Sequence, residues 1–513
     1  MLPDLLRHRL LLAVLLVPML WPALHGSIGA LLTAMQGGTL AGGASLWPTA
    51  RVWGLFGQGV ALALLAGLVA TACAAACAAT FLLPLSRRVR GALVAALAAS
   101  FCFGTVVHLL AWRVPFPGVS GGPSGWAVAA LVLGLRYAPL AALLLTAGLA
   151  TLERAELETA LVSGGSRALW RVARARLVRL AGMSLAAVAA LVFGESELPP
   201  LVGVHVYAEE FLSQVALEPD PHLAAALGWP LMAVALASAV LLAGLPRLQP
   251  GSRGAVRTGW LGEWVHAPVA VRLSLPALAF AAAALPLLLL AAGSLQASGR
   301  MPAHATEALF SSVAVAAGAA LLATLWGWAL AGAAARAGAQ RGFNLLAWIA
   351  MLWPSALTGL AIAAAGLPDG LGSATPLVLA HALRLLPFAA WLLLALQDAQ
   401  APGPREQLRV LGTRGLTAWR HVALPAALPG LAAAFALGVG LSLAELTATV
   451  LTVPAGMETV ILRLYNLLHY GDQRGVMVLA LMQGGVVALL VAVAAAAAAR
   501  HAARTEGEPR ARA

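Results

Sequence analysis

Residues Glu406 to Pro425 read EQLRVLGTRGLTAWRHVALP, and 248 positions earlier Glu158 to Leu177 read ETALVSGGSRALWRVARARL. Both stretches are rich in arginine, yet they sit in a chain made mostly of Ala, Leu, Val and Gly. In each, a glutamate is followed six positions on by a glycine, Gly164 in the first and Gly412 in the second. The offset extends outward from there. Arg136 and Pro139 in LRYAP recur as Arg384 and Pro387 in LRLLP, and Arg88 maps to Arg336. Glu197-Leu198 maps to Glu445-Leu446, and Glu210 to Glu458. Chance supplies one or two such matches in a biased composition, but not a polar set in order at one offset. The chain is read as two homologous halves, 1–246 and 268–500, joined by a linker at 247–267 and closed by a tail at 501–513.

The class of protein follows from composition. Hydrophobic residues make up 61% and charged residues 10%, with a mean hydropathy of +0.88. A soluble globular chain has about a quarter of its residues charged. Apolar spans can be read at 10–24, 57–84, 91–112, 126–150, 181–196, 223–246, 268–296, 306–334, 343–366, 375–399, 427–451 and 475–499. The expected fold is therefore an all-α polytopic membrane protein of about 12 helices, in two parallel six-helix repeats. The first span follows Arg7 and Arg9; it is read as a retained helix rather than a cleaved signal peptide, because the loop charges then fall into order.

The net charge of +12 is carried by 32 basic residues, and every one is arginine. With the N-terminus inside, most of them fall in cytoplasmic segments. These include 87–90, 154–179, 247–272, 336–341, 405–420 and the C-terminal tail. This positive-inside pattern accounts for the charge without nucleic acid, and places the chain in a lipid bilayer with both termini cytoplasmic. A bacterial inner (plasma) membrane is the natural setting. Without lysine there is no ordinary P-loop and no Schiff-base amine, so no catalytic residue is assigned and the chain is not read as an enzyme. Cys73, Cys77 and Cys102 lie in Ala-rich runs with no His, Asp or Glu cluster nearby. They read as small buried hydrophobes, and no metal site is expected.

The two opening stretches both fall between the fourth and fifth helices of their half, on the cytoplasmic side. Pro402 and Pro404 suit a helix start, with Glu406 in the first turn. Gly412 and Gly415 interrupt the run, and a short amphipathic helix carries Leu416, Trp419 and Val422. Two short helices at an angle, apolar on one side and basic at the rim, form a knob for a partner's groove. A single such segment would read as one lying on lipid headgroups, but its duplication at matched positions favours docking.

The loop of about 401–426, with Glu406, Gly412 and then Leu424-Pro425, resembles the EAA loop of permease subunits in binding-protein-dependent ABC importers. The loop of about 153–180 keeps Glu158-Thr159-Ala160 and Gly164, although Arg176-Leu177 stand where Leu-Pro is expected. The second copy has Gln407-Leu408 in place of the two alanines. The similarity runs over nearly the whole chain, as a fused permease with two type I importer cores. It implies that Glu158, Ala160, Gly164, Glu406, Gly412, Leu424 and Pro425 form ATPase-coupling loops. Two copies of a cytoplasmic ATP-binding subunit then dock below, and ATP-Mg belongs to that partner, with no cofactor on this chain. An extracytoplasmic substrate-binding protein delivers the solute. The segment LAELTATVLTVPAGMETVILRLYNLLHYGD (Leu443 to Asp472) resembles the permeases of the iron(III) importer group, and thiamine permeases share the architecture.

Four charged residues are candidates for the pathway or for tying helices together. Arg136 and Arg384 are costly in lipid and should face the bundle or a wet cavity, or bond a carbonyl or carboxylate of a neighbouring helix. Glu197 and Glu445 fall at the outer ends of the fifth helices, where they face the path, the delivery partner or water. Arg463 and His469 lie on the same outer side. Two other classes compete. A six-plus-six secondary transporter would hold ion sites near the midplane, where few acidic residues are expected. A membrane enzyme would need convergent complementary groups at one depth.

Overall fold

Inside a bilayer no water satisfies the backbone, so an apolar chain crosses only as helices or as a closed barrel. The computed structural model of this chain is helical, with no strand among the described residues. It describes residues 2–35, 49–83, 85–116, 118, 122–149, 154–217, 221–243, 268–296, 302–399, 417, 419–470 and 473–507. The linker at 247–267, Glu406, Gly412 and the end of the tail lie outside this set.

The first half contains α1 (Leu2–Met35), α2 (Ala50–Leu82), α3 (Arg87–Cys102), α4 (Thr105–Arg113) and α5 (Gly122–Leu149). It continues with α6 (Arg154–Phe193), α7 (Leu198–Leu201), α8 (Tyr207–Leu217) and α9 (Pro221–Ala243). The second half repeats this order. It runs through α10 (Val269–Gln296), α11 (Ala305–Ala337), α12 (Gln340–Leu352), α13 (Ser355–Ala363) and α14 (Thr375–Ala399). A π-helical turn at Trp419–Ala423 then leads into α15 (Leu424–Leu443), α16 (Thr447–Thr452), α17 (Val460–Tyr470) and α18 (Gln473–Gly507).

Among the described residues 9 helices are long and apolar enough to cross a membrane, or up to 11 if each bent pair counts as one span. The expected span at 223–246 corresponds to Leu227–Ala243, one of the shorter apolar helices. The chain is thus an all-α, multi-pass membrane protein.

Two expected spans are not straight. The third helix of each half is broken, with α3 and α4 meeting at 97° and α12 and α13 at 87°. Local chemistry explains both breaks. Pro354 removes an N–H and pushes Trp353 into extended backbone (ψ 135), while Phe103 adopts ψ 127 before Gly104. A Cβ on Gly104 would sit 3.3 Å from Ala444 of the other half, so glycine lets the two halves approach closely at this turn. Broken helices survive in membrane proteins only where protein covers them, and residues 101–111 are all buried. Side chains also bond carbonyls at both breaks. His108 Nε2 lies 3.0 Å from the Ser100 carbonyl, and Arg384 Nη1 donates to the carbonyls of Met351 (3.1 Å) and Trp353.

The halves are interleaved rather than set side by side. Helix α1 packs on α11 and α9, and Trp326 on α11 donates its Nε1–H to the Leu15 carbonyl at 2.9 Å. In return α10 packs on α2, α3 and α4 of the first half and on α18. Trp348, Met351 and Leu357 from the second broken helix join the core built by the first half. Cys102, Phe103 and Val107 from the first broken helix join the core built by the second.

Within each half the closest helix approaches use small residues, since lipid gives apolar helices no hydrophobic reason to associate and close packing must substitute. A Cβ on Gly134 of α5 would lie 2.6 Å from Val69 Cβ, and one on Gly327 of α11 would lie 2.9 Å from the Ala390 backbone nitrogen. Gly327→Leu should therefore force α11 from α14 and destabilise the chain by about 1–3 kcal/mol. Gly57→Leu, where no atom lies within 4 Å of the added Cβ, should stay within about 0.5 kcal/mol. Thermal unfolding of the two purified variants in one detergent checks the contrast.

Candidate functional site

At the seam between the halves the fold gathers charge. Arg136, projecting from α5, places Nη1 3.0 Å from Glu195 Oε2. That oxygen also accepts from Thr105 Oγ1 (3.1 Å), at the start of α4, and from the Tyr137 hydroxyl (3.4 Å). Glu195 Oε1 accepts the backbone N–H of Glu197 at 3.3 Å. In the second half Arg384 Nε, on α14, lies 3.8 Å from Glu445 Oε2. Glu445 Oε1 accepts from Ser355 Oγ, at the start of α13, and from the Ala448 N–H at 3.1 Å.

Thr105–Glu195 and Ser355–Glu445 are each separated by 90 positions. The structural counterpart of Glu445 is therefore Glu195, not the Glu197 that a constant offset selects. The offset widens by two positions between the arginine helices and the following turns, as the helix ends at Phe193 and Leu443 show. Sequence reasoning missed Glu195. The signal available was its place in the acidic run Glu195-Ser196-Glu197, directly after the fifth helix.

Both matched carboxylates differ from water-facing helix ends. Glu197 and Glu195 are buried, and the Glu445 side chain is only 15% exposed. Glu197 lies across the seam from Thr447, whose Oγ1 donates to its Oε1 at 3.3 Å and is 3.4 Å from Ser196 Oγ. A cavity of about 70 Å³ is lined by Arg136, Tyr137, His381, Arg384, Ser442 and Glu445, drawn from both halves. His381 is held from two sides, by Ser442 Oγ at 2.7 Å from Nδ1 and by Thr449 Oγ1 at 2.9 Å from Nε2.

A second region lies at the N-terminal end of α6. Here Gly164 (φ −154°, ψ 16°) and Gly165 (φ 60°, ψ −156°) leave the helical conformation, so that two helices meet at a kink. Gly165 occupies a region essentially reserved for glycine. An added Cβ at Gly164 would meet Ala168 Cβ at 2.7 Å. The ion pair across the break is made by Glu156, whose Oε2 lies 2.9 Å from Arg176 Nη2. Glu158 is half-buried on the same short helix, where Leu157 and Ala160 are buried and Val162 is 87% exposed. Beyond the break Arg167, Trp170, Arg171 and Arg174 are exposed. In the second copy Glu406 and Gly412 fall outside the described residues, while Leu424-Pro425 open α15, where a proline lacking an N–H is tolerated.

Of the outer-side candidates, Arg463 pairs with Glu458 and donates to the Ala303 carbonyl, and the side chain of His469 is outside the described set. Among the described residues no group of three or more His, Cys, Asp or Glu side chains could hold a metal ion.

The geometry defines a multi-pass helical membrane protein with a polar seam between two repeats and a glycine-broken helix pair at the head of α6. No protein-family model, no curated protein and no solved structure matches the chain.

Proposed function

We propose that the chain is the permease subunit of an ATP-driven, binding-protein-dependent importer, with a type I ABC importer core in each half and twelve spans in all. The observation that carries this reading is the break at Gly164–Gly165. It sets a short helix with a packed face (Leu157, Ala160) and an open rim (Val162, Arg167) at an angle to the following span. A rigid, charged knob of this kind suits the groove of a soluble partner. The sequence copy at Glu406 to Pro425 supplies a second one. In this reading Glu158, Gly164, Glu406 and Gly412 belong to coupling loops in the bacterial cytoplasm. Two ATP-binding subunits bind ATP-Mg and dock there. A binding protein on the other face delivers the solute, an iron(III) species on the resemblance of the 443–472 segment, with thiamine as the alternative cargo.

Co-purification tests it. The tagged chain should bring down the ATPase encoded beside it, and Glu158→Ala with Glu406→Ala should reduce recovery at least tenfold. A chain that purifies alone under the same conditions sinks the proposal.

One observation favours a second reading. The seam holds two buried carboxylates, a third that is 15% exposed, and two arginines, more internal charge than the linear pattern led us to expect, and ionisable groups inside membrane proteins commonly mark ion pathways. An ion-driven transporter of six-plus-six design would use such a cluster. Solute uptake into vesicles containing the chain alone, driven by an imposed ion gradient, would support this second reading.

A further inference from the structure

We infer that Glu197 is a proton-binding site: its carboxyl group holds a proton while the two halves touch and releases it when they part. The inference holds under either transport reading, because it rests only on the seam.

The argument begins with charge balance. Glu195, Glu197 and Glu445 face one another at the seam with Arg136 and Arg384, so one carboxylate exceeds the available guanidiniums. The pairings identify which one. Glu195 takes Arg136, Thr105 and Tyr137, and Glu445 takes Arg384, Ser355 and the Ala448 N–H. Glu197 is left with the Thr447 hydroxyl on Oε1, and its Oε2 is buried without a hydrogen-bond partner. The residue is only 8% exposed. A buried carboxylate in that position neutralises rather than remain charged.

The surroundings favour a proton over a metal cation. The groups facing Glu197 are Glu195 from its own turn, Arg136 from α5, Glu445 from the turn after α15, Thr447 at the start of α16, and Tyr465 from α17. Arg136 acts directly on Glu197 and repels a cation there, and the cavity at the same seam is lined by both arginines. Arg384 is turned away toward Glu445 and two carbonyls. His381 is occupied by Ser442 and Thr449.

The exchange is simple. An O–H bond forms on Glu197 Oε2 with a proton taken from hydronium, leaving water; when water returns to the site that bond breaks and the proton passes to water as hydronium. Since Thr447 belongs to the other half, separating the halves removes the one donor on Glu197 and wets the carboxyl group, which then ionises. Acid conditions therefore favour the closed seam.

Infrared spectra of the full chain in lipid nanodiscs at neutral pH test this. The intact chain should show the C=O stretch of a protonated carboxylic acid, and Glu197→Gln should lose it. Thr447→Val removes the hydroxyl bonded to Oε1, so the band should persist there at higher frequency. A neutral-pH spectrum without that band, or a band unchanged in Glu197→Gln, overturns the inference. Should Glu197→Gln fail to fold, Thr447→Val decides, and a band that does not move in it is equally fatal.

Discussion

Arg136→Met should destabilise the folded chain by about 3–5 kcal/mol, the cost of leaving a buried carboxylate without its cation. Glu195 is only 7% exposed and bonded to Thr105, Tyr137 and the Glu197 N–H, so its charge is left largely dehydrated once the guanidinium is gone. Arg136→Met combined with Glu195→Gln should recover most of the loss, because a neutral amide no longer needs a cation and can still accept from the Thr105 hydroxyl. The corresponding pair in the second half should behave differently. Arg384 also serves the carbonyls of Met351 and Trp353 at the broken helix. Arg384→Met with Glu445→Gln should therefore recover distinctly less, since two freed carbonyls stay without that donor. Denaturation of the single and double variants in detergent, treated as double-mutant cycles, measures both coupling energies. Equal recovery in the two halves would show that Arg384 does not support the break at Trp353.

If the chain docks an ATP-binding subunit as proposed, Gly165→Val should weaken that docking without weakening the membrane core. The backbone there, at φ 60° and ψ −156°, costs a branched side chain about 1–3 kcal/mol, which corresponds to roughly a 5- to 150-fold loss of affinity if the bend is what the partner recognises. Nothing lies within 4 Å of an added Cβ at this position, so the effect comes from backbone conformation and not from a clash. Titration of the ATPase onto the chain in nanodiscs reads the affinity, and thermal unfolding checks the core. Unchanged affinity would mean that the broken helix pair is not the docking element.

The two regions were legible in the sequence to different degrees. The first glycine-broken loop was visible because its signals are local: a glutamate, two adjacent glycines and a run of arginines. The ion pair that closes it, Glu156 to Arg176, could not be anticipated, because it depends on the angle at which the two helices meet. The seam was only half visible. Arg136 and Arg384 stand out as charges in apolar runs, but which carboxylate each meets was not legible, and the constant offset matched Glu445 to Glu197. A two-position change of offset between helix and turn moved Glu195, and not Glu197, into the place occupied by Glu445 in the other half.

The broken helices were hidden for a different reason. Hydropathy sums apolar residues along a window, and α3 with α4, or α12 with α13, remains apolar through the bend. The same holds for the interleaving of α1 and α10 with the opposite halves, because every apolar helix reads alike until its neighbours are known. What the sequence determined by itself is the helical membrane class, since its apolar runs are of helix-spanning length and a helix satisfies its backbone within the segment; the recurrence of polar residues at an offset of about 250 pointed to the two-half plan. Tertiary structure decided where the helices break and which carboxylate each arginine meets. Those outcomes depend on contacts between residues far apart in the chain, such as Arg384 at the Met351 carbonyl and Thr447 at Glu197, which close only when the two halves pack together.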